Sequence, residues 1–162
     1  MGTKLDRLKA SLVKKQQAFD DKLAEHMDSV AQANGQPLND KRGGAATISR
    51  WDKQSDALRA LEEGIAKTKA AMEDEKGTLA LIAGTNATLP VEILELVESG
   101  ELTQWRKYPH IFFVDGVDKA RIIWDRKNKR VAHKYVNSIT DQAQRTKFVR
   151  IYNQLYVELN AQ

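Results

Sequence analysis

The residues of this chain best suited to chemistry are cations set among aromatic rings toward its carboxy-terminal end. Arg121, Arg126, Lys127, Lys129, Arg130 and Lys134 crowd one predicted β-hairpin together with Lys119, Trp124, His133 and Tyr135, and Trp105, Arg106, Lys107 and Tyr108 form a second cluster just upstream. Lysine and arginine neutralise phosphates and release their counterions, while flat aromatic faces stack on unpaired bases for about 1–3 kcal/mol each. A two-stranded ribbon with a basic tip also fits a DNA groove. The set read as nucleic-acid-binding is therefore Arg106, Lys107, Tyr108, Arg121 and Trp124, continued through Arg126, Lys127, Lys129, Arg130 and Lys134. Two other readings of the same residues stand beside it. The charge equally suits an acidic protein surface. An edge hairpin also carries lysine and arginine simply to stay soluble and avoid edge-to-edge pairing, with Trp124 and Tyr135 turned into the core.

The basic charge belongs to one end of the chain. Residues 1–100 hold 14 Lys/Arg against 16 Asp/Glu, whereas residues 101–162 hold 12 against 6, along with all four Tyr, two of the three Trp and three of the four Phe. This asymmetry predicts a helical assembly device joined to a small cationic module with an anionic partner.

Other chemistries find less support. With no cysteine, disulfides, thiolate metal sites and cysteine nucleophiles are excluded. His26, His110 and His133 have no carboxylate or second histidine at a metal-ligand interval, and no nucleophile-elbow pattern occurs. Asp115, Asp118 and Asp125 cluster near the predicted strands, but two of them occupy turn positions that aspartate favours for its own backbone hydrogen bonds. Gly43-Gly44 precedes a helix start without the Gly-Lys-Ser/Thr ending of a phosphate loop. The expectation is a non-enzymatic protein with no catalytic residues, no metal and no cofactor. No apolar run approaches the roughly 20 residues of a membrane span, and Met1-Gly2-Thr3-Lys4-Leu5-Asp6 lacks the apolar core of a signal peptide, so the expected location is cytoplasmic. Asn86-Ala87-Thr88 is then a chance sequon.

The elements that must position the basic cluster are legible from periodicity. Leu5, Leu8, Leu12, Phe19, Leu23, Met27 and Val30 follow the helical repeat and predict a helix from about Lys4 to Ala33, stopped by Asn34-Gly35 and Pro37. A loop over about 34–45 leads to a second helix from Ala46 or Thr47 to about Lys76, whose stripe is Trp51, Leu58, Leu61, Ile65 and Met72. Folded back as an antiparallel hairpin, the two would pair Val30 with Trp51, Leu23 with Leu58, Phe19 or Asp20 with Leu61, Gln16 with Ile65, and Leu8 with Met72. Two narrow stripes leave apolar surface wet, to be covered by the carboxy-terminal module or by a second copy of the chain; the second is favoured, which makes Leu12, Phe19, Leu23, Trp51, Leu58, Leu61 and Ile65 the predicted self-association residues of a homodimer.

Residues 78–100 read as a connector with a short helix after Pro90, capped by Thr88 or Leu89 and closed by Ser99-Gly100. Then the period changes. His110–Val114, Lys119–Asp125 and Arg130–Val136 predict a three-stranded antiparallel meander, turned by Asp115-Gly116 and by Asp125–Lys129. The second turn is expected to place Asn128 in the left-handed region with a bulge, pairing Ile123 with Val131 and Trp124 with Arg130. Ser138 or Thr140 would cap a last helix with the stripe Phe148, Tyr152, Leu155, Tyr156 and Leu159.

The fold class is thus α+β: a coiled-coil hairpin over 1–77, the connector at 78–100, and a meander-plus-helix module over 101–162. The expected function is an accessory protein that self-associates through the hairpin and binds nucleic acid through the module. The alternative is an adaptor or structural subunit that engages an acidic or apolar protein surface without nucleic acid.

Overall fold

The computed structural model describes residues 2–35 and 43–160. Most of the loop predicted over about 34–45, namely 36–42, lies outside the described residues. The chain is α+β: α1 (Lys4–Gln32), α2 (Gly44–Asn86), α3 (Val91–Glu98), β1 (Leu102–Gln104), β2 (Ile111–Val114), β3 (Arg121–Asp125), β4 (Arg130–Lys134) and α4 (Gln142–Asn160). It divides into two compact units, one ending at Lys76 and one beginning at Gly77.

In the first unit α1 begins at a capping box. Thr3 Oγ1 accepts from the Asp6 N–H at 3.1 Å, and the Asp6 carboxylate accepts from the Thr3 N–H at 2.9 Å. It ends where Asn34 and Gly35 adopt left-handed φ of 52° and 74°, so that the Gly35 N–H reaches back to the Val30 carbonyl at 2.9 Å. The antiparallel pairing with α2 is carried by named contacts. Lys15 Nζ donates to Thr68 Oγ1 at 2.7 Å and to the Gly64 carbonyl at 3.2 Å, and the Trp51 indole donates to Ser29 Oγ at 3.0 Å. Lys4 meets Glu75 at 2.9 Å. Trp51 therefore sits against the residue next to the expected Val30.

The seam differs from the expected stripes in its chemistry. No residue of α1 is fully buried, and the buried residues of α2 within this unit are Gln54, Thr68 and Glu75. These polar positions alternate with the half-buried Trp51, Leu58, Leu61, Ile65 and Met72 at intervals of three and four, completing a heptad. Leu12 and Phe19 are likewise half-buried, while Leu23, Met27 and Ile48 are exposed.

α2 does not stop at Gly77. It runs 43 residues, roughly 65 Å at about 1.5 Å per residue, through Gly77 and Gly84 to Asn86. Thr78, Ile82 and Thr85 continue the half-buried spacing past Gly77, and flanking helix on both sides absorbs the modest cost of a glycine.

The second unit is an antiparallel sheet in the order β1-β2-β3-β4, with α3 and α4 on one face. It has four strands rather than three. Leu102-Thr103-Gln104, the added strand β1, is too short to display an alternation in sequence. It pairs Leu102 with Val114 and Gln104 with Phe112. The Gln104 amide donates to Asn86 Oδ1 at 2.7 Å and to the Pro109 carbonyl at 2.6 Å, tying the end of α2 and the β1–β2 turn to this strand. Leu102, Phe112, Ile122, Trp124 and Val131 point inward against Ile93 and Leu96 of α3 and Phe148, Ile151 and Leu155 of α4.

Several local expectations are corrected. The β2–β3 connection is not a two-residue turn at Asp115-Gly116. It spans 115–120, because Val117 and Ala120 are buried in the core. In the β3–β4 hairpin Trp124 pairs with Val131 and Asp125 with Arg130, one residue from the expected register. Lys129 rather than Asn128 takes the left-handed conformation, at φ 49°. The Asp125 carboxylate accepts from the Lys127 and Asn128 N–H groups and from the Asn128 amide at 2.6 Å, which fixes Asn128 inside the turn. Pro90 is the cap position of α3. Asp141, not Ser138 or Thr140, caps α4, its Oδ1 accepting from the Gln144 N–H at 2.8 Å.

Candidate nucleic-acid interface

The face of the sheet turned away from α3 and α4 carries the candidate site. Strand alternation puts Ile111 and Phe113 of β2, Arg121 and Ile123 of β3, and Ala132 and Lys134 of β4 on this face. Trp105 follows β1 and joins them, its N–H donating to the Ile111 carbonyl at 2.9 Å. The face is mostly half-buried apolar and aromatic surface, with Arg121 set in it.

Arg121 sits in an aromatic cage. Its guanidinium carbon lies 4.8 Å from the Trp105 ring centre, 5.1 Å from Tyr135 and 5.6 Å from Phe113. Each contact is within the range of a cation–π attraction. The Arg121 Nε is buried without a hydrogen-bond acceptor, and no carboxylate pairs with the side chain among the described residues. Trp105 is buttressed in turn by Tyr108, edge-on at 4.9 Å, and by Phe113 at 5.6 Å. Lys107 Nζ stands 5.5 Å from the Tyr108 ring. Tyr135 closes the cage from a left-handed backbone, φ 63°, which is costly for a bulky side chain and directs the ring back over Arg121.

The ten predicted residues are sorted by this geometry. Arg121 and Lys134 face each other across β3 and β4 on the open face. Tyr108 and Lys107 lie at its rim, and Arg106 is exposed in the same turn. Arg126, Lys127 and Lys129 are exposed at the β3–β4 tip, and Arg130 pairs with Asp125 at 3.8 Å. Trp124 leaves the set. It is only 7% exposed and belongs to the inner face, so it offers no ring to a strand on the open face. Trp105, Phe113 and Tyr135 supply the aromatic surface instead. Period-two alternation counted from the buried Phe112 and Ile122 would have found Phe113 and Arg121.

The Asp125 carboxyl is held below its ordinary value by the hydrogen bonds from Asn128, side chain first and backbone next, so it stays ionised in the turn. Burial raises the Tyr152 hydroxyl, which lies on the helix side beneath His133, ring centres 4.8 Å apart. Asp115 pairs with Lys147 at 3.6 Å while Asp125 holds the β3–β4 turn, so these two carboxylates are used separately, and the Asp118 backbone N–H donates to Gln144 Oε1. Among the described residues no group of three or more His, Asp or Glu is gathered to hold a metal ion, and no helix is long and apolar enough to cross a membrane.

No protein-family model, no curated protein and no solved structure matches this chain.

Proposed function

We propose that the protein is a non-enzymatic accessory factor that binds nucleic acid on the open face of its carboxy-terminal sheet and self-associates through its helical hairpin. The observation that carries the reading is the Arg121 cage, a cation with no acid partner among the described residues, embedded among three aromatic rings on the sheet face turned away from α3 and α4. An unneutralised guanidinium beside flat rings matches a phosphate joined to unpaired bases, so single strands are the expected ligand. Lys107 and Lys134 extend the positive surface, and the Arg126, Lys127 and Lys129 tip lies at one end of it.

The test is fluorescence anisotropy with labelled single- and double-stranded DNA and RNA at two salt concentrations. The expected result is single-strand preference, affinity that falls steeply with salt, and loss of most affinity in Arg121→Ala. Absence of binding at low salt would sink the reading. For the hairpin, the exposed Leu23, Met27 and Ile48 support self-association. Light scattering on a Leu23→Asp, Met27→Asp double variant is expected to give half the wild-type mass.

A further inference from the structure

A cleft of about 480 Å³ opens at the amino-terminal end of α3, and none of the four cage residues lines it. Its size is that of pockets that take small organic ligands. Leu89, Pro90 and Trp124 form an apolar wall, Arg126 and Lys129 reach it from the β3–β4 turn, and Glu92 enters from the first turn of α3.

Four features leave this cleft chemically incomplete. Arg126 and Lys129 have no acid or hydrogen-bond partner among the described residues, so two positive charges stand unneutralised. Pro90 occupies the cap position of α3 and brings no side-chain oxygen, so the first-turn N–H groups lack a side-chain cap, and Glu92 is the acid of that turn. Trp124 is more than nine-tenths buried, yet its indole N–H finds no acceptor. Glu92 pairs with no cation among the described residues.

We propose that this cleft binds a phosphomonoester carried on a nucleoside-sized body. The phosphate meets Arg126, Lys129 and the end of α3, and the body lies on Leu89, Pro90 and Trp124. An aliphatic acid would satisfy the two cations but leave Glu92 without a partner. A nucleoside supplies one, its hydroxyl or amino groups donating to Glu92 while its ring packs on the apolar wall. The same chemistry comes from a free nucleoside monophosphate or from the phosphorylated end of a strand. The inference does not rest on strand binding at the cage: none of the four cage residues lines the cleft, and only Arg126 and Lys129, at one end of the strand surface, are shared.

The test titrates ¹⁵N-labelled full-length protein with AMP, adenosine and inorganic phosphate, following the Trp124 indole N–H signal, which is assigned by elimination in Trp51→Phe and Trp105→Phe. AMP is expected to shift that signal saturably, with adenosine and phosphate each weaker by about tenfold or more. Arg126→Ala with Lys129→Ala should weaken AMP by about tenfold, and Arg121→Ala should leave it unchanged. A signal that AMP does not move, that adenosine moves equally well, or that is indifferent to loss of both cations in a protein melting as wild type would overturn the proposal. The adenosine comparison needs no variant and so stands even where the double variant fails to fold. A short oligonucleotide with and without a 5′-phosphate then separates the sources: equal action of the phosphorylated strand and AMP assigns the cleft to strand ends, and action of AMP alone assigns it to the free nucleotide.

Discussion

At the scale of single residues, adjacent side chains in one strand have opposite assignments, and that contrast is testable. Phe112 is fully buried while Phe113 lies on the open face beside Arg121. Phe112→Ala is expected to cost about 3–5 kcal/mol in chemical denaturation, and Phe113→Ala much less. Conversely, Trp105→Ala should lower single-strand affinity by about 1–3 kcal/mol with little change in the unfolding midpoint. Arg121→Lys should not restore the wild type, because an ammonium lacks the planar face that lies against the rings. The Asp6, Glu25 and Asp125 carboxyls are all held low by hydrogen bonds, the largest for each from Thr3, Lys22 and Asn128 respectively. A group with a depressed native value stabilises the fold fully above its unfolded value. As pH falls through 3.8, the ordinary aspartate value, the unfolded chain takes up protons first and stability drops. Urea midpoints measured from pH 6 to pH 2 should therefore decline, and a smaller decline in Asp125→Asn would isolate that turn. The residue types of the candidate interface are legible in the sequence, and alternation from Ile122 puts Trp124 on the inner face. The pairing of β3 with β4 is less legible, because its turn holds Lys129 in the left-handed region and lysine gives no advance signal of that conformation.

At the scale of elements, the hairpin illustrates how sequence reading favours apolar positions. The two helices and their antiparallel pairing follow from Leu8, Leu12, Phe19, Leu58, Leu61 and Ile65, whereas the interleaved Gln54, Thr68 and Glu75 leave no hydrophobic trace although they are the most buried seam residues. Gln54 Oε1 meets His26 Nδ1 at 3.0 Å, and its amide reaches Glu25 at 3.3 Å. Such polar pairs inside a heptad fix alignment at a cost in stability. The double replacement His26→Leu, Gln54→Leu should raise the melting temperature while broadening the amide spectrum of α1 and α2 as alternative alignments become accessible. A sharper spectrum with lower stability would show that the pair is needed for folding itself. The sheet was less legible than the helices. β1 has three residues and a single buried one, Leu102, and the 115–120 connection is shaped by Val117 and Ala120, which join the common core.

At the scale of the whole molecule, two surfaces should respond differently to solution conditions. The binding proposed at the caged arginine would be electrostatic and should weaken as salt rises, while the association proposed through the exposed Leu23, Met27 and Ile48 would be apolar and should hold or strengthen. Sedimentation at 50 and 500 mM salt, paired with anisotropy on the same samples, separates the two; a shared salt dependence would mean that one surface serves both. The charge asymmetry between residues 1–100 and 101–162 was readable from composition, but the carrier of the candidate interface, an uncovered sheet face, required the strand register. That uncovered face also bears on inheritance. Trp105, Arg121 and Tyr135 add little to the buried core, so purifying selection for folding alone would let them drift while Phe112, Ile122 and Phe148 stayed fixed. In a lineage of such chains, persistence of the three cage residues at the pace of the core would record selection for what they hold, and their decay would date its loss.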